Sequence, residues 1–185
     1  VLDMAGVDSS VIDDFEVNTE SAEEGEYDIR LVTEGKVKEQ LLDMIGSAES
    51  GDVIQTGMFY ISDRGVINAL KDALDRDVHV QMVLDVNQDA FGNEKIGIPN
   101  RPAAAELMDH DKQPEIRWYE SHGEQFHAKF LMVKSHDEIT ITGGSSNFTR
   151  RNIEDYNLET NLTVTGSSDS ELMTEVTGYY DRIWN

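Results

Sequence analysis

A chain of 185 residues suits one domain and is long enough to bury a real core. Its 37 acidic residues against 15 basic give a formal net charge of −22 and an isoelectric point near 4.3. Such a surface repels polyanions and argues against broad, sequence-independent nucleic-acid binding, which needs Lys and Arg to displace counterions. With no cysteine there can be neither disulfides nor thiolate metal sites, and no apolar run approaches the roughly 20 residues of a membrane-spanning helix.

Two explanations of the acidity stand side by side, adaptation to high salt and a functional acidic face. Neither forbids one basic cleft, for which Lys129, Lys134, Arg150 and Arg151 are candidates. The start at Val1 has neither a basic n-region nor an apolar h-region, and the sequence reads as a piece of a longer protein, soluble or peripheral at a membrane.

In chain order, residues 1–26 are acidic and rich in Ser, Asp and Glu, and read as a linker or extension. Residues 27–185 read as a single domain. Ile29–Val32 is a short strand candidate. Gly35–Ser47 carries Val37, Leu41, Leu42, Met44 and Ile45 at helical spacing. Asp52–Tyr60 reads as a buried strand and Arg64–Asp75 as a second helix with Val66, Ile67, Leu70 and Leu74 inward. Val78–Leu84 is a strand ending at Asp85. Phe91–Asn100 is a loop with Gly92, Gly97 and Pro99, Ala103–His110 a short helix, and Ile116–Tyr119 a strand. Ile139–Thr142 and Asn161–Val164 are further strands. Ser170–Trp184 is a closing helix with Leu172, Val176, Tyr179, Tyr180 and Ile183 on one face. This alternation predicts an α/β domain with a mixed or parallel sheet covered by helices.

The chemistry concentrates late in the chain. His127 and Lys129 are two residues apart on an extended run, which puts both side chains on one face. The turn Gly144-Ser145-Ser146-Asn147 follows the next apolar stretch. Two neighbouring strands would bring His127, Lys129, Ser145 and Asn147 together, supplying a nucleophile, a fixed cation and neutral hydrogen-bonding groups for attack on a phosphodiester. Gly143 and Gly144 allow close backbone approach and positive φ.

His127-x-Lys129 and Gly144-Ser145-x-Asn147, continuing as Phe148-Thr149-Arg150-Arg151-Asn152 and Asn157-Leu158-Glu159, resemble the signature of the phospholipase D superfamily. The resemblance spans Tyr27 to Val164, with the tail similar to that of bacterial cardiolipin-synthase-like members. It implies a phospholipase D-like mixed sheet flanked by helices on both faces, and a phosphodiesterase or phosphatidyltransferase working through a phosphohistidine on His127. Lys129 and Asn147 would then stabilise phosphate charge, Glu159 would orient the His127 ring, and Ser145 and Gly144 would line the substrate. The family needs no metal and no cofactor. It uses two His-x-Lys motifs, and this chain has one, so it implies one half of a site completed by a homodimer or by a second motif elsewhere. Phospholipid is the expected substrate, with a homodimeric nuclease or an inactive scaffold domain as the alternatives. The sequence departs from the family at Lys134, where an Asp is usual, and Asp137 is the nearest displaced carboxylate.

Rival sites are weaker. His110, His122, His127 and His136 could supply zinc ligands, but no helical His-x3-His pair occurs. Asp85, Asn87 and Asp89 have a calcium-like spacing without the required Gly and Glu, and a substrate loop or plain turn is the better reading. Phe59-Tyr60 and Trp118-Tyr119 could line a pocket or belong to the core.

Overall fold

A computed structural model describes residues 26–185 except 88, 91, 92, 95 and 155. The acidic segment expected to be a linker lies outside the described residues but for Glu26. The elements run β1 (Tyr27–Thr33), α1 (Gly35–Ser47), β2 (Val53–Met58), α2 (Arg64–Asp75), β3 (His79–Leu84), β4 (Asp89–Ala90), β5 (Asn93–Glu94), α3 (Asn100–Met108), β6 (Glu115–Trp118), β7 (Lys129–Lys134), β8 (Glu138–Gly144), α4 (Arg150–Ile153), β9 (Thr160–Ser167) and α5 (Glu171–Trp184). Seven strands form one mixed sheet in the order β1-β9-β8-β7-β2-β3-β6. β2, β3 and β6 are parallel; the β2–β7, β7–β8, β8–β9 and β9–β1 pairs are antiparallel. β4 and β5 pair as a small separate two-stranded sheet, β5 inside the expected Phe91–Asn100 loop and β4 just before it.

Helices cover both faces, as the resemblance implies. On one face, alternate residues Ile54 and Met58 of β2, Val80, Met82 and Leu84 of β3, and Leu131 and Val133 of β7 pack under α1, α2 and α3. The two helices predicted from apolar spacing have the expected ends. In α1 the buried stripe is Val37, Leu41, Met44 and Ile45, the i, i+4, i+7, i+8 pattern of a helix facing a core. In α2 the Asp63 carboxylate caps the first turn by accepting from the Val66 N–H at 3.1 Å. Towards β8 and β9 the same face turns polar, with Thr142 and Thr163 hydroxyls 3.0 Å apart and Thr140 and Thr165 hydroxyls 2.9 Å apart across the strands.

The opposite face holds Val83, Phe130, Met132, Ile139 and Val164 under α5. The stripe on α5 holds Val176, Tyr180 and Ile183 as expected, with Met173 in place of Leu172 and without Tyr179. Met173 and Tyr180 are buried, with Val176 and Ile183 packed beside them, whereas Leu172 and Tyr179 are substantially exposed. Met173, Val176, Tyr180 and Ile183 follow the 3, 4, 3 spacing of one helix face, and that set faces the sheet. α3 begins at Asn100, earlier than Ala103, because the buried Asn100 amide is tied to the ends of β2 and β3: Nδ2 donates to the carbonyls of Phe59 and Asp85, and Oδ1 accepts from Ile61 N–H. Pro102 sits in the first turn of α3, where a missing N–H costs nothing.

Gly143 and Gly144 are not left-handed; positive-φ glycines among the described residues are Gly51, Gly97 and Gly123. Gly144 is required by proximity instead. A Cβ there would lie 2.2 Å from the Thr160 carbonyl oxygen and 2.7 Å from the Asn161 Cα, backbone atoms of the adjacent strand. Gly144→Ala is expected to cost about 1–3 kcal/mol, the usual range for overpacking, seen as a lower denaturation midpoint at unchanged slope.

Candidate active site

Strand pairing gathers four segments at one end of the sheet. Lys129 opens β7 opposite Met58, the last residue of β2. β8 runs back beside β7 and ends at Gly144, which faces Asn161 on β9. Glu159 therefore lies just before β9 at the same end, and β3, parallel to β2, delivers Asp85 there.

His127 precedes β7 and is not part of it. Backbone bonds grip it from both sides: Phe126 N–H donates to Asp85 Oδ2 at 2.7 Å, and Phe59 N–H donates to the Ala128 carbonyl at 2.8 Å. Its ring lies 4.7 Å from that of Phe59, centroid to centroid. The Lys129 Nζ is 3.1 Å from both His127 Nδ1 and Nε2, and donates to the His127 carbonyl at 3.1 Å. Equal distances place the ammonium over the imidazole rather than in line with one lone pair. Desolvation, then the Lys129 charge, pushes the His127 pKa down against the opposing pull of Asp85. Both main effects favour the neutral ring a nucleophile needs. Lys129, 9% exposed, is itself lowered by burial, with Glu159 opposing.

Glu159 is 6% exposed. Its carboxylate accepts from the Ser145 hydroxyl, from Asn152 Nδ2 at 2.5 Å and from Asn157 Nδ2 at 3.4 Å. Of the two links expected between Glu159 and the His127 ring, direct or through one water, the direct hydrogen bond is not formed among the described residues; the carboxylate accepts from these three donors instead. Ser145 gives its one hydroxyl proton to Glu159 and accepts from the Thr160 N–H at 3.1 Å. In this arrangement it braces the turn. Asn147 is half-buried, with Oδ1 enclosed and unpartnered. Phe148 behind it bridges to the chain beyond β2, donating to the Tyr60 carbonyl at 3.0 Å and accepting from Ser62 and Asp63 N–H.

The other candidates disperse. His110 meets Asp75 at 2.9 Å, His122 lies beside Glu124, and His136 is exposed beside Asp137. No group of three His, Cys, Asp or Glu able to hold a metal occurs among the described residues. Lys134 ends β7 at the far side of the sheet, and Asp137 is exposed in the following turn, so neither stands near His127. Phe59 is core beneath the His127 ring, Trp118 is partly exposed, and Tyr119 stacks on Phe126. Arg150 pairs with Glu154 and lies over Tyr156. Three residues escaped the sequence reading as parts of the site: Asn152 and Asn157, which hold Glu159, and Asp85, which holds Phe126. The first two sit at fixed offsets before Glu159, a signal that was available.

A family model described as "Cardiolipin synthase, PLD-like domain" matches residues 41–184. The chain belongs to this phospholipase D-like family. Members of the wider superfamily are phosphodiesterases or phosphatidyltransferases. Among solved structures, the phospholipase D family member Nuc of Salmonella typhimurium is similar at 20% identity and TM-score 0.67, covering 86% of this chain and 95% of that one. NucT of Helicobacter pylori follows at 17% and 0.62, covering 85% and 96%. The phosphatidylserine synthase of Haemophilus influenzae matches at 12% and 0.65, covering 85% of this chain but 38% of that one. At these identities the likeness is one of fold. None of the curated proteins compared matches significantly.

The phospholipase D-like site makes a titration prediction. By NMR, His127 should titrate below the ordinary 6.5. Lys129→Met removes a cation that disfavours the imidazolium, so the midpoint should move up.

Proposed function

We propose that this phospholipase D-like chain is one catalytic half of a metal-independent phosphodiesterase or phosphatidyltransferase that works through a phosphohistidine. The observation that carries the reading is the contact between the Lys129 ammonium and the His127 ring at the sheet end where Asn147 and Glu159 also lie. The neutral His127 ring forms an N–P bond as the bond from phosphorus to the leaving oxygen breaks. That oxygen takes its proton from the His of a second half. Water or an acceptor alcohol then gives its proton to that same His and attacks phosphorus, and the N–P bond breaks to return neutral His127. Lys129 and Asn147 stabilise the charge that builds on the phosphoryl oxygens. Glu159 holds the Ser145–Asn147 turn and keeps a negative charge near Lys129.

Phospholipid is the proposed substrate, because the net charge of −22 disfavours a polyanion. A second reading, a homodimeric nuclease, is supported by the near-complete coverage of the Nuc chain, of 95%. Mixed phospholipid vesicles and single- and double-stranded DNA, offered to the same preparation, separate the two by their products. Headgroup release or exchange is expected, and cleavage of DNA alone would select the nuclease.

Turnover should survive prolonged EDTA treatment; loss with EDTA and rescue by zinc would overturn the metal-free mechanism. His127→Asn should lower kcat by several orders of magnitude, up to about 10⁶, and abolish an acid-labile phosphoryl adduct trapped from the wild type. Specific activity should follow the associated fraction as the sample is diluted. Full turnover by a strictly monomeric sample of this chain would refute the half-site.

A further inference from the structure

Asp85 is a carboxylate 3% exposed that forms no ion pair with Lys or Arg among the described residues. Burying such a group is costly unless its oxygens are filled by donors. They are. Oδ1 accepts from the Asn87 backbone N–H at 2.7 Å and from Asn87 Nδ2 at 3.0 Å, while Oδ2 accepts from Phe126 N–H at 2.7 Å. The Asn87 contacts are local and would suffice for a turn. The Phe126 bond is not local: it crosses 41 positions of sequence to the residue immediately before His127.

The surroundings make that bond rigid. Asp85 N–H donates to the Met58 carbonyl at 3.1 Å, and its carbonyl accepts from Asn100 Nδ2 at 2.9 Å. The Phe59 carbonyl accepts from both Asn87 Nδ2 and Asn100 Nδ2, and Asn100 N–H donates to Asn87 Oδ1 at 3.1 Å. Phe59 in turn donates to the Ala128 carbonyl. One buried network therefore holds the peptide groups on both sides of His127. Among the described residues every hydrogen-bond partner of the Asp85 side chain is a donor, so only an acceptor-only group satisfies all of them. An amide in its place would turn its NH₂ towards another N–H.

We propose that Asp85 is a positioning residue for His127: its carboxylate fixes the Phe126 amide, and so the His127 backbone, while placing a negative charge near the imidazole. This rests on His127 being the reacting group of the proposed phosphodiesterase. The charged groups acting on the ring are Lys129 from β7, which disfavours the imidazolium, and Asp85 from the end of β3, which favours it. Glu159, before β9, bears on Lys129, and Tyr60, beyond β2, is a phenol held up by burial and by Asp85. Asp85 thus offsets part of what Lys129 and desolvation do, holding the His127 titration nearer neutrality than those two alone would set it.

The test is Asp85→Asn, read in two independent ways. By NMR, the His127 midpoint should move down and the Phe126 amide should lose a downfield, charge-assisted shift. With bis(p-nitrophenyl) phosphate as a generic phosphodiester probe, kcat should fall by about 10–100-fold, the scale of a small misplacement of a reacting group, with KM nearly unchanged and the acid limb of the rate profile moved down. A folded variant with wild-type His127 titration and wild-type kcat overturns the proposal. If Asp85→Asn does not fold, the wild-type Phe126 amide decides: slow exchange and a downfield shift support the bond, fast exchange and an ordinary shift overturn it. Failure of the wild type to turn over any phosphodiester would sink the functional reading alone, since the titration reads Asp85 against His127 without activity.

Discussion

Lys129, a residue 9% exposed at the mouth of an apolar sheet, has given up part of the water around its ammonium, and that loss costs free energy unless other groups take water's place. At Lys129 the replacements are the His127 carbonyl and ring and the nearby charge of Glu159. Glu159 is buried in its turn and needs donors of its own. Ser145 supplies one from the end of β8, Asn152 another from α4, and Asn157 a third from the chain leading into β9. The turn holding Asn147 and the short helix α4 are thereby fixed by the need to accommodate one buried positive charge. Each of these groups helps to hold a buried charge, so their contributions are coupled rather than independent.

The parts of this arrangement that depend on local periodicity were legible in the sequence. The apolar spacing of α1 and α2 fixed both helices to their ends, and the alternation around Lys129 and Ile139 predicted the strand pair that converges on the site. The His-x-Lys and Gly-Ser-x-Asn residues were readable because their spacing belongs to a strand, a turn and a strand. Less legible were contacts made by residues far apart in the chain. Asp85 looks like a turn residue beside Asn87, and nothing within ten residues says that Phe126 will donate to it. The face of α5 was legible at Val176, Tyr180 and Ile183 and not at its rim, where Leu172 and Tyr179 are as apolar as Met173 and only the sheet decides which of them is covered. The hydrogen bond expected between Glu159 and His127 assumed a free carboxylate. Ser145, Asn152 and Asn157, all visible in the motif, donate to it.

The acidic surface and the site obey different rules. Ion pairs away from the sheet end, such as Lys36 with Glu39, are solvent-exposed and contribute little each. Around His127 the charges are few, partly buried and arranged by hydrogen bonds, so salt screens them far less. A strongly acidic exterior can therefore coexist with a partly buried cation at the sheet end. Bulk charge sets which molecules approach, and the sheet end sets what can happen to them.

The pairing of β1 with β9 joins Tyr27 to Gly166 across nearly the whole described chain. During synthesis from the N-terminus, β1 emerges long before its partner β9, and its apolar residues Ile29 and Leu31 wait unpaired until β9 is made. Closing so distant a contact is slow compared with the local β7-β8-β9 meander. Glu159 enters with the start of β9, so the counter-charge of Lys129 arrives in the same late step. The vulnerable interval in the folding of this domain is then the stage before β9 is made, when a nearly complete sheet still has an open edge and an unbalanced charge beside it.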